Sequence, residues 1–228
     1  MSKILISGYY GFANAGDEAM LTAIIESLRQ VEKNVELTVL SGNPEDTAAK
    51  HQVCSVYRFN PLGIIRTMKD SELIISGGGS LLQDVTSKRS LLYYLSIIGL
   101  GKFFGKKVML FAQGIGPIRA KWARKLTSLV CNEADLITVR DSESAAELIE
   151  MGVKPEKITV TADSVLSLNP VTKECGQYLL QEAGVDLTKP VIGISVRPWS
   201  GDSQCFQVLA VASKAAMKIH VKSSEWAY

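Results

Sequence analysis

The sequence predicts an α/β fold in which helices cover both faces of a parallel β-sheet. Short, continuous apolar runs, such as residues 4–6 and 72–75, are typical of strands that are buried on both faces. Longer segments between these runs carry apolar residues at helical spacing, as in residues 20–28. Glycine-rich loops directly follow several of the runs. This alternation over residues 3–165 indicates a doubly wound, Rossmann-like sheet.

Each predicted element has its own local signal. The apolar runs predict seven strands, at residues 4–6, 35–40, 53–56, 72–75, 107–111, 136–139 and 157–160. Helical periodicity predicts a first helix that ends near residue 31 and further helices at residues 61–69, 91–104 and 142–151. A weaker helix is predicted at residues 46–51. Pro117 predicts the start of a further helix that continues through Leu129. Gly152 predicts the end of the helix at residues 142–151.

A boundary is predicted at Asn169-Pro170. It divides the chain into a Rossmann-like domain at residues 1–168 and a second α/β unit at residues 169–228. The second unit has a predicted helix at 175–183, a strand at 190–196 and a helix at 205–216. Because one strand and two helices cannot bury a domain's core, we expect the second domain to be incomplete.

Composition excludes several classes of protein. The 228 residues are 46% hydrophobic and 21% charged, which excludes a disordered chain, and a net charge of +2 argues against a nucleic-acid-binding protein. Four widely spaced cysteines and two histidines predict neither a metal site nor a disulfide framework, and reduced thiols are typical of the cytoplasm.

The apolar start is too short for a signal peptide. The apolar segment 91–104 is too short to span a bilayer, so we expect a buried helix there; peripheral membrane contact and homo-oligomerisation stay open.

The chain is organised around residues 76–84, SGGGSLLQD. Gly77, Gly78 and Gly79 follow a predicted strand and permit close approach of a ligand to the backbone. Gln83 and Asp84 add side-chain hydrogen-bonding groups. Because open α/β sheets bind ligands at the carboxyl ends of their strands, we expect a ligand site here, with a simple chain reversal as the alternative.

Other polar side chains follow strands that end at the same edge of the predicted sheet. They are Asn14, Asp17, Glu18, Gln113, Arg140 and, after the predicted strand of the second unit, Arg197. Amides and carboxylates suit sugar hydroxyls and arginine suits anions, so the set favours a sugar and a phosphate-bearing partner. All but Arg197 have a structural alternative: helix capping for the first three residues, bracing of a loop for Gln113, and a salt bridge to Asp141 or a helix cap for Arg140.

Familiar catalytic motifs are absent from the sequence. There is no GxxxxGK[ST] phosphate-binding loop and no GxGxxG dinucleotide fingerprint. Ser76 and Ser80 have no evident histidine partner, which argues against a Ser-His-Asp hydrolase.

Six stretches together resemble the polysaccharide pyruvyltransferase family, in particular its bacterial cell-surface-anchoring type. They are residues 8–18, 76–84, 113–117, 139–144, 162–163 and 196–199. The resemblance implies a two-domain fold like the GT-B glycosyltransferases. It implies transfer of a pyruvyl group from phosphoenolpyruvate, as a ketal, onto a lipid-linked sugar, typically an N-acetylmannosamine of a secondary cell-wall polymer that anchors S-layer proteins. It implies no cofactor, and a location in the cytoplasm at the inner face of the membrane.

The resemblance also suggests roles for the residues at the site. Asp84 is the predicted base, and Arg197 the predicted clamp for the phosphate or carboxylate of the donor. We expect Asn14, Gly78, Gln83, Gln113, Arg140 and Arg197 to line one cleft. His51 is expected to lie away from it, so no proton donor is assigned. Residues 213–228 look unlike the continuation that the family has, which suggests a fragment of low activity.

Two other functions stay open at this point. One is a GT-B glycosyltransferase that uses a nucleotide sugar, and the other is a non-catalytic carbohydrate-binding module.

Overall fold

The computed structural model describes residues 2–85, 87–194, 207–209 and 211–212. The chain divides into two compact units, Met1–Pro170 and Val171–Tyr228. The first unit contains the sheet and every functional loop discussed below except the one at residues 196–199.

The first unit is built on a seven-stranded sheet in which every pair of neighbouring strands is parallel. In chain order the strands are β1 (Lys3–Tyr10), β2 (Glu36–Ser41), β3 (Cys54–Tyr57), β4 (Leu73–Gly77), β5 (Lys107–Gln113), β6 (Leu136–Val139) and β7 (Ile158–Val160). Their order in the sheet is β3-β2-β1-β4-β5-β6-β7. The predicted doubly wound α/β fold is confirmed. The order reverses between β1 and β4, and ligands of such sheets bind at this point.

Helices connect the strands. They are α1 (Ala15–Val31), α2 (Pro44–His51), α3 (Pro61–Asp70), α4 (Lys88–Phe103), α5 (Lys121–Glu133) and α6 (Ser142–Glu150). Asparagine side chains cap the first three helices, and proline stands in the first turn of α2 and α3, where its missing N–H costs nothing. None of the helices in the described part of the chain is both long enough and apolar enough to cross a membrane.

Two apolar layers enclose the sheet. Ile6, Val39 and Ile75 face Leu21 and Ile24 of α1 on one side. On the opposite side, the other faces of the strands pack against α3, α4, α5 and α6, and the buried residues there include Leu5, Ile74, Leu91, Ile98 and Leu148. Because both faces are covered, the strands read as continuous apolar runs, which is why the sequence predicts them well.

The structure corrects the predicted start of the fifth helix. Helix α5 begins at Lys121 rather than at Pro117, and Ala120 at its N-cap provides no side-chain cap. A carboxylate from another loop binds the backbone just before the helix instead, as described below.

In its described part, the second unit contains helix α7 (Lys173–Glu182), close to the predicted 175–183. None of its residues is buried. Residues 190–194 form no strand, in contrast to the prediction for 190–196, of which the last two residues lie outside the described part. Residues 207–209 and 211–212 are helical, within the helix predicted at 205–216.

Candidate functional site

The glycine triplet ends β4 between β1 and β5, at the centre of the carboxyl edge of the sheet. Gly78 and Gly79 have φ angles of 60° and 73°, in the left-handed region that favours glycine. The Gly78 N–H donates to Phe111 O at 3.0 Å, and Gly79 O accepts from Gly114 N–H at 3.0 Å. The glycines therefore turn the chain and tie two loops together, and the Gly78 N–H is used by the protein rather than offered to a ligand.

The first turn of α1 lies against this triplet. A β-carbon on Gly79 would be 3.2 Å from Asp17 Oδ1, and one on Gly78 would be 3.1 Å from the β-carbon of Met20. Asn14 caps the helix, because its Oδ1 accepts from the N–H groups of Gly16 and Asp17. The structure therefore brings the start of α1 and the triplet together, as the sequence predicts, and gives Asn14 the capping role.

Glu18 fixes the loop that precedes α1. Its Oε1 accepts from the Gly11 N–H at 2.8 Å, and its Oε2 lies 3.5 Å from His51 Nε2. His51, which was expected to lie away from the cleft, therefore contacts Glu18, one of the predicted substrate-binding residues. Arg29 of α1 donates to the carbonyl oxygens of His51 and Gln52, which holds the end of α2 beside α1.

The two glycine-rich loops pair along their length. Leu82 and Ile115 form a parallel bridge, the Gly116 N–H donates to Leu82 O at 3.1 Å, and the Asp84 N–H donates to Pro117 O at 3.3 Å. A β-carbon on Gly116 would lie 2.7 Å from that of Gln83, so Gly116 is required where Gln83 packs. Gln83 is half-buried in this seam.

Asp84 binds the backbone that leads into α5. Both carboxylate oxygens lie 3.0 Å from the Arg119 N, and Oδ2 lies 2.9 Å from the Ala120 N. These backbone hydrogen bonds hold the pKa of Asp84 below its ordinary value. The geometry does not support Asp84 as the predicted base, because a carboxylate that already accepts several hydrogen bonds and has a lowered pKa is a weak proton acceptor.

Arg140 is held in a network of three loops. Its guanidinium donates to Asp141 Oδ2 at 3.3 Å, to Asp163 Oδ2 at 3.2 Å and to Ser80 Oγ at 3.2 Å. The Gly114 backbone packs against it, since a β-carbon there would lie 2.7 Å from Cζ of Arg140. The salt bridge to Asp141 that the sequence leaves open is present. Arg140 therefore links the triplet loop to the loops after β6 and β7.

Gln113 does not face a ligand. Its side chain is fully buried, and Nε2 donates to Ser76 O at 3.0 Å. It braces β5 against β4, so its assignment as a substrate-binding residue is corrected to the alternative of bracing. Arg197, the predicted clamp, lies outside the described residues, so its place in the predicted cleft is not tested.

A continuous chain of contacts thus joins most of the predicted loops. Asp17 lies against Gly79, Gly79 bonds to Gly114, and Gly114 packs on Arg140, which reaches Asp163. Beside it, a cavity of about 400 Å³ opens between α1 and the ends of β5, β6 and β7. Its lining includes Ser27, Phe111, Thr138, Asp163 and Ser167. In the described ranges, no group of three or more acidic, histidine or cysteine side chains is placed to bind a metal ion.

Sequence reasoning missed Arg58, which follows β3. It is only 4% exposed, and its Cζ lies 4.3 Å from the Tyr93 ring centroid and 5.3 Å from that of Phe12. The local signal was an arginine between two aromatic residues, Tyr57 and Phe59, at the end of a weak strand. The residues that enclose it come from β1, the loop after it, and α4, so no short sequence window contains the cluster.

Comparisons with solved structures show which known proteins share this fold. The chain is similar to the crystal structure of Anabaena HepE in complex with UDP and glucose, with 12% sequence identity and a TM-score of 0.54. The match covers 81% of this chain and 50% of that one. It also matches a glycosyltransferase from Rickettsia africae at 12% identity and a TM-score of 0.50, over 83% of this chain and 51% of that one. The chain therefore spans about half the length of these solved structures and shares the Rossmann-like fold of GT-B enzymes. A comparison with curated proteins gives no match.

The model of the polysaccharide pyruvyl transferase family matches residues 14–201. The match begins at the cap of α1 and includes the triplet, the paired glycine-rich loops and Arg140 with its partners, which are the same groups that the fold joins at the carboxyl edge. From the extent of this match, we conclude that the chain belongs to the polysaccharide pyruvyl transferase family.

Proposed function

We propose that this chain takes part in the transfer of a pyruvyl group from phosphoenolpyruvate to a sugar, as a ketal. The sugar is an N-acetylmannosamine of a lipid-linked cell-wall polymer that retains S-layer proteins, and the reaction takes place in the cytoplasm at the inner face of the membrane. The proposal is supported by one observation above others. The loops within the family match meet at the point where the strand order reverses.

The chemistry requires a proton donor, a base and a clamp for anions. Protonation of the methylene carbon makes the neighbouring carbon an oxocarbenium-like centre, which one sugar hydroxyl attacks. Departure of phosphate and attack by a second hydroxyl then complete the ketal. The two hydroxyl protons balance the one that the methyl group gains and the one that leaves with phosphate.

The residues of this chain suit the acceptor side of that reaction. Asp17 lies in the first turn of α1 against Gly79. On its placement beside the triplet, where the strand order reverses, we assign to Asp17 the contact with the sugar hydroxyls and the role of base. Arg140, already paired with two aspartates, positions the loops around the acceptor, and Arg197 takes the role of donor clamp.

The test is a transfer assay on the full chain. Phosphoenolpyruvate and a synthetic N-acetylmannosamine-containing acceptor are supplied, and phosphate release and the mass gain of one pyruvyl group are measured. We expect Asp17→Asn to lower kcat by about 10²-fold or more, as for loss of a general base. Asp70→Asn, at the exposed end of α3, is the matched control.

Two results would replace the proposal. Transfer only from a nucleotide sugar would make the protein a glycosyltransferase, and sugar binding with no turnover of either donor would make it a carbohydrate-binding module. Equal activity of Asp17→Asn and the control would remove the role given to Asp17.

A further inference from the structure

Arg58 is a buried cation with poorly satisfied donors. Its guanidinium donates to Gly8 O at 3.5 Å and to Tyr94 Oη at 3.3 Å, which are both long contacts. Its Nε–H makes no hydrogen bond to any described residue, and Arg58 forms no ion pair within the described ranges. A charge that is withdrawn from water in this way normally has a counter-ion.

Aromatic rings surround this cation. The ring centroids of Tyr9, Phe12, Phe59, Tyr93 and Tyr94 all lie between 4.3 and 5.9 Å from its Cζ. Cation–π attraction acts on the faces of the guanidinium and offsets part of the cost of burial. It does not supply acceptors for the N–H groups, which point outward in the guanidinium plane.

Further polar groups without partners lie on the same side of the sheet. Ser7 of β1 and Ser76 of β4 are in register across the strand pair, both are buried, and neither hydroxyl has a hydrogen-bond partner in the described part. The Tyr93 hydroxyl makes no hydrogen bond of ordinary geometry within the described part either. Burial raises the pKa of Tyr93 to about 12, and the nearby Arg58 guanidinium and Ser7 hydroxyl oppose that rise as weak hydrogen-bond partners. Buried hydroxyls without partners are rare, and a cluster of them beside an arginine indicates a place for a bound group.

We propose that Arg58, together with the hydroxyls of Tyr93 and Ser7, forms a binding subsite for a small oxyanion. Guanidinium and hydroxyl groups are all donors, and a carboxylate or phosphate group accepts from several donors at once. The proposal does not depend on pyruvyl transfer, because it concerns binding of the anion alone.

The exposed aromatic rings over the subsite allow entry of a ligand. Tyr9 and Phe12 stack on each other at 4.3 Å, and they are 41% and 40% exposed. Phe12 lies between Gly11 and Ala13, which have φ angles of 77° and 56°. An anion therefore reaches Arg58 by displacing two exposed rings, Tyr9 at the end of β1 and Phe12 in the loop after it, without opening the core.

The test titrates the full chain with inorganic phosphate and, separately, with pyruvate, in the absence of any sugar. Binding is followed by the thermal midpoint and by the ¹H–¹⁵N resonances of the arginine Nε–H groups. We expect at least one anion to raise the midpoint and to shift one Nε–H resonance that is missing in Arg58→Gln. Arg66→Gln, an exposed arginine of α3, is the matched control and should bind as the parent chain does.

Tyr93→Phe keeps the ring beside the cation and removes only the hydroxyl. We expect it to weaken binding about tenfold, the effect of losing a hydrogen bond to a charged group. This variant and Ser7→Ala decide the question if Arg58→Gln does not fold. A response to phosphate alone identifies a phosphate site, and a response to pyruvate alone identifies a carboxylate site.

Three outcomes would overturn the proposal. The first is no response of the parent chain to either anion, the second is equal losses in Arg66→Gln and Arg58→Gln, and the third is unchanged binding in both hydroxyl variants. A failure of the transfer assay would not affect the anion-binding result, because the anion titration contains no sugar acceptor.

Discussion

At the scale of single residues, several charged groups at the carboxyl edge hold loops in place. The Asp84 carboxylate binds backbone N–H groups 35 and 36 residues further along the chain. Arg140 joins side chains that are 60 and 23 residues away. The loops that meet at the edge therefore depend on polar contacts that are distant in sequence.

Removal of the Asp84 carboxylate should destabilise the fold. We expect Asp84→Ala to lower the free energy of unfolding by about 1–2 kcal/mol near neutral pH, the cost of removing a charged acceptor from the N–H groups of Arg119 and Ala120. Because the pKa of Asp84 is lowered in the folded state, its contribution is present above the unfolded-state pKa of about 4 and is lost as the pH falls through the folded-state value. Urea unfolding near neutral pH and near pH 3 checks this, and the difference from the parent chain should shrink at the lower pH. An equal loss in Asp70→Ala, on the exposed end of α3, would contradict the assignment.

The Arg140 network should also be measurable. Arg140→Gln leaves Asp163 and Asp141 without their cation, and we expect a loss of about 1–2 kcal/mol in the free energy of unfolding. Arg89→Gln, an exposed arginine of α4, should stay within about 0.5 kcal/mol of the parent chain. Equal stability of the two variants in urea would show that the network adds nothing.

At the scale of elements, the glycine-rich loops are specified by conformation and by space. Gly79 has a left-handed φ of 73° and lies against Asp17 and Met20 of α1. Gly114 and Gly116 leave room for Arg140 and Gln83. Two loops and one helix start therefore fit together only because these positions lack a β-carbon.

Substitution of alanine for glycine separates this requirement from ordinary helix propensity. We expect Gly79→Ala to cost about 1–2 kcal/mol, because an L-residue is strained at this φ. Gly99→Ala, inside α4 with no atom within 4 Å of the added carbon, should instead stabilise by about 0.5–1 kcal/mol. Denaturant unfolding of both variants measures the two effects. A stabilising Gly79→Ala would show that the triplet is not constrained.

The elements also show how far the sequence alone can lead. Strands buried on both faces are evident as apolar runs, so the sheet was predictable. The start of α5 was not, because the backbone before it is held by Asp84 from another loop. Gln113 looks like a ligand group in sequence, and only its burial against β4 reveals that it braces the sheet. The surroundings of Arg58 were missed because the rings that enclose it are contributed by separate segments of the chain.

At the scale of the whole molecule, the apolar core formed by the described residues lies in the first unit. The buried hydrophobic residues of the described part lie between Ile4 and Val153. No residue of α7 in the second unit is buried. A unit of this size, with its own sheet and both faces covered, falls within the range of independently folding domains.

We therefore expect residues 1–170 to fold without the rest of the chain. Their stability comes from burial within the seven-stranded sheet and its helices, and the described helix α7 beyond them contributes no buried residue. Far-ultraviolet circular dichroism during urea unfolding should give a cooperative transition with the same midpoint as the full chain. The dependence of the free energy on urea should also be similar, because its slope follows the surface that unfolding exposes. A fragment that aggregates, melts without cooperativity or has a clearly lower midpoint would show that residues beyond 170 contribute to the core of the first unit.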